Sequence, residues 1–487
     1  MTSPRSLRLC GEILVWVRVM SLHKEMVFIT TIVFVFLSLF SLAESSSRIV
    51  NLPSPLPHVS RAMEKPDFWI KKIPDPSRIL MTPDEIRNLN DENLKRGDLY
   101  LCRVSDLKEE WTRDEVLDLL KEDWQGFRDS GEIRYDRNGN PLEEPFWSGL
   151  KTNLNQESLK EMNSMFLGLI IKRTDIRVFP TEECSLTTPG NNEFDRFQHS
   201  SISPGSLVGV YAISKDGVWA YVQTPFIRGW VRAAHIAIAK ERRELTEYDE
   251  AIDRLVIIGN YVRVYKDPAF RKTLFLAQMG ASFPLSSTTR SSKGTGRSYV
   301  VQIPIRGADG RLIIGKGYIP KGKEVQLGYL PYTQRNVARQ AFKMLRESYG
   351  WGELHGGRDC SRFIMDLFNT FGIHMPRNSK FQAQIGTIPE EISGMSIQGK
   401  KRILDRAVPL ATLLRLPGHI MLYLGKDHDK HYVIHSIWGV QRVDKFGPAL
   451  EKIGKVVVSD LSLGSSSPSG SLLERITDIR YIGLEKR

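Results

Sequence analysis

The sequence predicts a multidomain α+β protein: a mostly helical N-terminal segment, two small β-barrels, and a C-terminal domain of helices on an antiparallel sheet. Three observations carry this. At 487 residues the chain is long enough for about three or four domains. A weak internal repeat of short strands and Gly-rich turns crosses its middle. In the last third, a helical apolar stripe is followed by two strand-like runs separated by a polar turn. Hydrophobic residues make up 41% and charged residues 25%, values ordinary for a folded chain.

The N-terminus comes first. Val27 to Ala43 is an uncharged, mostly apolar run preceded by Lys24, with Ser41-Leu42-Ala43 ahead of Glu44. That is the layout of a secretory signal cut before Glu44, over residues 1–45. The alternative is an uncleaved anchor, since the run is near the lower length limit for spanning a bilayer. Residues 46–160 hold a proline-rich linker, Pro53 to Pro57, and a helix start at Thr82-Pro83-Asp84-Glu85. A second helix follows Trp111-Thr112, and nothing in this region reads as chemistry.

The repeat places one barrel over 162–243 and a second over 250–330. Thr174-Asp175-Ile176-Arg177-Val178 and Asn260-Tyr261-Val262-Arg263-Val264 open the two units. Tight turns at Lys215-Asp216-Gly217 and Ala308-Asp309-Gly310 mark hairpins in each. Trp219, Tyr221 and Trp230 are either binding aromatics or the core of the first barrel.

Residues 331–487 carry the chemistry. Paired glycines in Gly356-Gly357-Arg358-Asp359 give way to Cys360, and from Phe363 onward the apolar residues Phe363, Ile364, Leu367, Phe368 and Phe371 form one helical face. Gly372 sits where a helix C-cap glycine belongs. Cys360 therefore falls on a first helical turn, where unpaired N–H groups favour an anion and lower a thiol pKa. The competing reading is a small buried cysteine. A thiolate nucleophile needs a histidine to move its proton and a third polar group to orient that histidine. His419 to Gly425 and His431 to Gly439 read as strands joined by a turn, and a hairpin centred near Asp427 sets His419 opposite His435. Cysteine on a helix start and two polar residues on adjoining strands is the papain-like order of parts.

This third of the chain resembles the NlpC/P60 cell-wall cysteine peptidases. Their motifs are Asp-Cys-Ser-Gly-Phe and His-x-Gly-Ile-Tyr-x-Gly. Asp359-Cys360-Ser361-Arg362-Phe363 and His419-Ile420-Met421-Leu422-Tyr423-Leu424-Gly425 match except at Arg362 and Met421. The resemblance implies Cys360 as nucleophile, His419 as base and His435 as the third residue, with His431 the competitor at shorter spacing. Tyr349 and Trp351 resemble cleft residues of the γ-D-glutamyl-diamino-acid endopeptidase branch. By the same resemblance Asp359 and Ser361 hold the amino-terminal part of the substrate. The middle repeats resemble bacterial SH3 (SH3b) domains, and residues 46–160 resemble a helical segment that clamps the first barrel. In relatives so built, that barrel blocks one end of the cleft and selects peptides with a free amino-terminal L-alanine.

The resemblance implies peptidoglycan stem peptides or murein fragments as partners and no cofactor, the N-terminal apolar run predicts an exported, envelope or periplasmic location, and a monomer is expected. Net charge is +12, without a Lys/Arg run dense enough to suggest nucleic acid. Ahead of the apolar run lies Cys10; behind it Cys102, Cys184 and Cys360 leave an odd thiol, and no pair has C-x-x-C spacing. Cys102 and Cys184 are either a disulfide or two free thiols. Two other functions compete. His419, His428, His431 and His435 could bind zinc, although Tyr432-Val433-Ile434 favours a strand over the helix that His431-x3-His435 needs. A non-catalytic wall-binding protein is the second, opposed by the intact Cys360, His419 and His435.

Overall fold

The computed structural model describes residues 48–483 except 129–130, 287–296, 323, 389, 391, 393 and 446. The signal expected over 1–45 lies outside the described residues. Among those residues, no helix is long and apolar enough to cross a membrane.

The C-terminal domain is built on a six-stranded sheet. Across it run the strands Arg48–Asn51, Gly447–Asp460, Lys430–Asp444, His419–Asp427, Thr412–Leu416 and Asp478–Tyr481. Alternation along the strand from His419 explains both of its faces. Ile420, Leu422 and Leu424 meet the helices Gln334–Lys343 and Cys360–Asn369 through Val337, Ala341, Phe363 and Leu367. Met421 and Tyr423 face Leu404 and Leu473 on the other side. The strands pair Leu422 with Ile434 and Asp427 with Lys430, so the turn is His428-Asp429 and a bulge falls between Tyr423 and Gly425. His435 therefore lies across from Met421, and His419 reaches it diagonally rather than directly opposite.

The first β-module is an open seven-stranded sheet, not a closed barrel. Its edges are Ile236–Ile238 and Gln198–Ile202. Closure is unnecessary because both faces are covered. Ile176, Val208, Val222 and Val231 make one core, while Trp219, Tyr221 and Trp230 make another with Leu120, Trp147 and Leu150 of the helices Arg113–Phe127 and Glu144–Asn153. All three aromatics are buried, as core residues. The second module is likewise not a barrel: a three-stranded and a four-stranded sheet enclose Leu255, Val264, Ala277, Phe283 and Ile319.

The N-terminal segment divides its allegiance. Residues 48–99 belong to the C-terminal domain: Arg48–Asn51 adds a parallel strand, and Met63, Trp69, Ile70 and Ile86 join its core. Only the later part, from Val104 to Leu159, packs on the first module. Both expected helix starts form, with Thr82 and Thr112 in capping boxes.

Candidate active site

Asp359 caps the helix Cys360–Asn369 by accepting from Arg362 N–H at 2.8 Å, which puts Cys360 at the first helical position. First-turn amides have no intrahelical acceptor, so the Cys360 N–H is open to a ligand oxygen, while the Ser361 N–H faces the Cys360 sulfur. The Cys360 sulfur lies beside the start of the neighbouring strand: its S–H points to the Gly418 carbonyl at 4.0 Å, and the Ile420 N–H faces it. His419 lies between those two residues.

His419 Nε2 is 2.7 Å from His435 Nδ1, and His435 Nε2 is 3.0 Å from Ser459 Oγ. One proton arrangement leaves a base for the thiol. His419 Nε2–H donates to His435, His435 Nε2–H donates to Ser459, and His419 Nδ1 keeps its lone pair. Burial pushes the Cys360 thiol up to about 12, reinforced by the Asp359 carboxylate. Burial, then the Arg475 guanidinium, pulls His419 down to about 3, and His435 falls well below its ordinary value. The pair rests uncharged, the reverse of what the helix position alone suggests. Desolvation and the adjacent carboxylate outweigh the helix dipole.

The other histidines go elsewhere. His431 is buried against the Tyr423 hydroxyl at 2.9 Å, and His428 is exposed beside Asp427. Cys102, Cys184 and Cys360 are all free thiols.

Tyr349 is half-buried, and desolvation, reinforced by the nearby Asp359 and Cys360, holds its hydroxyl well above the usual range. Trp351 is half-buried. A loop of the first module lies on this wall. Phe194 stacks edge-on to Trp351 at 5.5 Å and Trp438 at 4.9 Å, and is tilted against Tyr349 at 6.4 Å. Glu193 meets the Trp438 indole N–H and the Lys452 ammonium. Phe194 and Trp438 were invisible as cleft residues in the sequence, because the contact joins positions over 150 residues apart.

Asp359 and Ser361 are not idle. Arg377 donates to Asp359 at 2.6 Å and to the Ser361 hydroxyl at 2.7 Å, while Gly352 N–H donates to Asp359 at 3.2 Å. Burial opposes the Asp359 charge, yet Arg377 holds its carboxyl below the ordinary range. Arg362, at the motif's glycine position, spans a second pair of carboxylates, Asp366 at 2.6 Å and Glu353 at 2.8 Å. It also donates to the Ser201 carbonyl of the first module at 3.1 Å. Gln278 of the second module reaches Asp366 at 2.5 Å, and Arg358 does so at 2.6 Å. Gly352 permits this junction, since a Cβ there would meet the Gln198 carbonyl at 2.6 Å.

Residues 346–444 match the NlpC/P60 family, and residues 186–232 match the SH3 domain of SH3b1 type. No curated protein sequence matches the chain. Among solved structures, an NlpC/P60 endopeptidase from Photobacterium damselae subsp. piscicida is 18% identical, with a TM-score of 0.71 over 89% of this chain and 99% of that one. An NlpC/P60 family protein from Bacillus cereus is 15% identical, at 0.44 over 65% and 100%. A peptidoglycan hydrolase from Mycobacterium tuberculosis is 19% identical, at 0.19 over 31% and 64%. The first likeness extends the shared fold over nearly the whole of both chains.

Proposed function

We propose, from the premise that this chain carries an NlpC/P60 cysteine peptidase domain and an SH3b-type domain, that it is an exported endopeptidase of peptidoglycan stem peptides. It cuts the bond from γ-D-glutamate to a diamino acid. The observation that supports the reading best is the hydrogen-bonded series His419, His435, Ser459 on adjoining strands, with Cys360 at a helix start beside Gly418 and Ile420.

In the reaction, Cys360 sulfur bonds to the γ-carbonyl carbon as the thiol proton passes to His419 Nδ1. Backbone N–H groups around Cys360 receive the developing oxyanion. His419 then returns the proton to the departing amine, the C–N bond breaks, and a thioester remains. Water, deprotonated by the same imidazole, hydrolyses it. His435, fixed by Ser459, keeps His419 in the tautomer and orientation this requires. Because both partners rest uncharged, the proton moves with the attack rather than before it.

Phe194 and Glu193 of the first module pack on Trp351 and Trp438 beside Tyr349, which supports a preference for short released peptides over stems still joined to glycan. The carboxylate of Asp359, beside the nucleophile, is the group of proper sign for an amino-terminal ammonium. Its existing pair with Arg377 means that such an ammonium would share the carboxylate. The decisive experiment is incubation of the protein with free and N-acetylated L-Ala-γ-D-Glu-diamino-acid peptides, with products identified by mass. Cleavage of the free peptide at the γ-glutamyl bond, with loss on acetylation, is expected. Equal rates refute the amino-terminal selection, and no cleavage of either peptide refutes the substrate class.

A further inference from the structure

The buried arginines of this protein meet carboxylates: Arg177 meets Asp195 at 2.5 Å, Arg358 and Arg362 meet Asp366, and Arg377 meets Asp359, each at 2.6 Å. Arg475 does not. It is half-buried, and among the described residues its guanidinium has no hydrogen-bond acceptor and no ion-pair partner. Burial depresses its proton affinity with no acidic group in reach to restore it. A half-buried guanidinium with no protein partner among the described residues is available to an anionic ligand.

The backbone on either side of Arg475 is pinned. Ser471 and Glu474 form a capping box at the head of Leu472–Arg475. Lys400 Nζ donates to the carbonyls of Glu474 at 2.8 Å and Ile476 at 2.7 Å, one on each side. Thr477 N–H donates to the Arg415 carbonyl at 2.8 Å, and Arg415 pairs with Asp478 in the sheet. That contact sets the segment just after Arg475 against the strand Thr412–Leu416, whose last residue pairs with His419 across the Pro417-Gly418 turn, and Gly418 is the residue whose carbonyl receives the Cys360 S–H. Of the charges acting on His419, Arg475 is the largest. An unpaired cation thus acts on the base from an element the reaction described above does not use.

We propose that Arg475 is a specificity residue of this cleft that receives a substrate carboxylate next to the scissile bond, namely the α-carboxylate of the glutamyl residue. The inference rests on the γ-glutamyl reading above. In a γ-linked glutamate the α-carboxylate is not consumed in the chain, and only the α-carbon and two methylene groups separate it from the carbonyl that Cys360 attacks. Amidation of that α-carboxylate leaves the guanidinium no anion to pair with. The fork of Arg475 matches a carboxylate with two parallel N–H···O bonds. Pairing also cancels the positive charge that depresses His419, so a correctly linked substrate raises the basicity of the imidazole that must take the thiol proton. Recognition and activation are then one event.

The test compares wild type and Arg475→Gln on three peptides: L-Ala-γ-D-Glu-diamino acid, the same with the glutamyl α-carboxylate amidated, and the same with the terminal diamino-acid carboxylate amidated. Wild type is expected to lose about ten- to a hundredfold in kcat/KM on the α-amide. Arg475→Gln loses a similar factor on the free acid and no longer distinguishes acid from α-amide, and Arg475→Lys recovers part of the loss. The acid limb of kcat/KM shifts to higher pH in Arg475→Gln, because a cation beside His419 has gone. A merely structural role would lower all three peptides alike and leave the discrimination intact. If wild type cuts acid and α-amide equally, or if Arg475→Gln still discriminates, the proposal is overturned while the γ-glutamyl reading survives. If only terminal amidation matters, the carboxylate belongs to the diamino acid and the glutamyl assignment is wrong. If wild type cuts none of the three peptides, the underlying reading falls and this inference with it.

Discussion

Removing the Arg362 side chain tests the junction between the peptidase domain and its two β-modules. Arg358, Arg362 and Arg377 face Glu353, Asp359 and Asp366 in one buried network, three cations against three carboxylates. Arg362→Ala leaves that interior one negative charge in excess and strips the Ser201 carbonyl of its 3.1 Å donor. Deleting one partner of a buried pair costs about 3–5 kcal/mol. The lower end applies here, because Asp366 keeps Arg358 and Gln278, and Glu353 keeps the Ser200 hydroxyl and Ser201 N–H at 3.0 Å each. Urea unfolding followed by tryptophan fluorescence reads the loss, compared at the transition midpoint since several domains need not unfold as one. The pH dependence supplies an internal check. Although burial pushes the other way, Arg362 and Arg358 hold Asp366 below its ordinary value, and Arg377 does the same for Asp359. Their stabilisation is therefore present above the ordinary carboxylate pKa of about 4 and is lost as pH falls through the lower folded values. The Arg362→Ala deficit should thus be full at pH 7 and shrink in acid. A deficit below about 1 kcal/mol at neutral pH, the range of an exposed pair, would refute the network argument.

The remaining expectations concern the reaction. Cys360→Ala should abolish hydrolysis of the stem peptide without loss of fold, His419→Ala should be nearly as severe, and His435→Ala should be milder because water can replace part of an orienting group. Full activity in Cys360→Ala refutes the thiol mechanism, and dependence on His431 in place of His435 refutes the choice of third residue. Alkylation of Cys360 by iodoacetamide should accelerate about tenfold per pH unit from pH 6 to 9, as expected of a neutral thiol with a raised pKa. A rate plateau extending down to pH 4–5 would instead reveal a resting thiolate–imidazolium pair. Phe194→Ala should loosen the packing on Trp351 and Trp438 and reduce kcat/KM for short peptides while releasing the preference for a free amino terminus. Unchanged selectivity in that variant would remove the first module from substrate choice.

Local chemistry carried much of this site. The stripe from Phe363 to Phe371, the polar start at Asp359 and the residue pattern after His419 favour a capped helix and a strand, because propensity and burial period are set by near neighbours. The two threonine caps and the hairpin turns at Asp216-Gly217 and Asp309-Gly310 follow from equally short-range rules. What depends on distance was not legible. The first module is an open sheet because helices from residues 113–153 cover one face, a fact about packing partners rather than strand pattern. The diagonal offset of His419 from His435 comes from a two-residue turn and a bulge, details that hydrophobic alternation does not encode. Most of all, the ionisation of the site was decided by tertiary structure. The helix start alone favours a thiolate, but only the fold buries Cys360, pairs Arg377 with its neighbour Asp359 and brings Arg475 to His419 from more than fifty residues away. Electrostatic energy depends on separation and desolvation in space, and one-dimensional order contains neither.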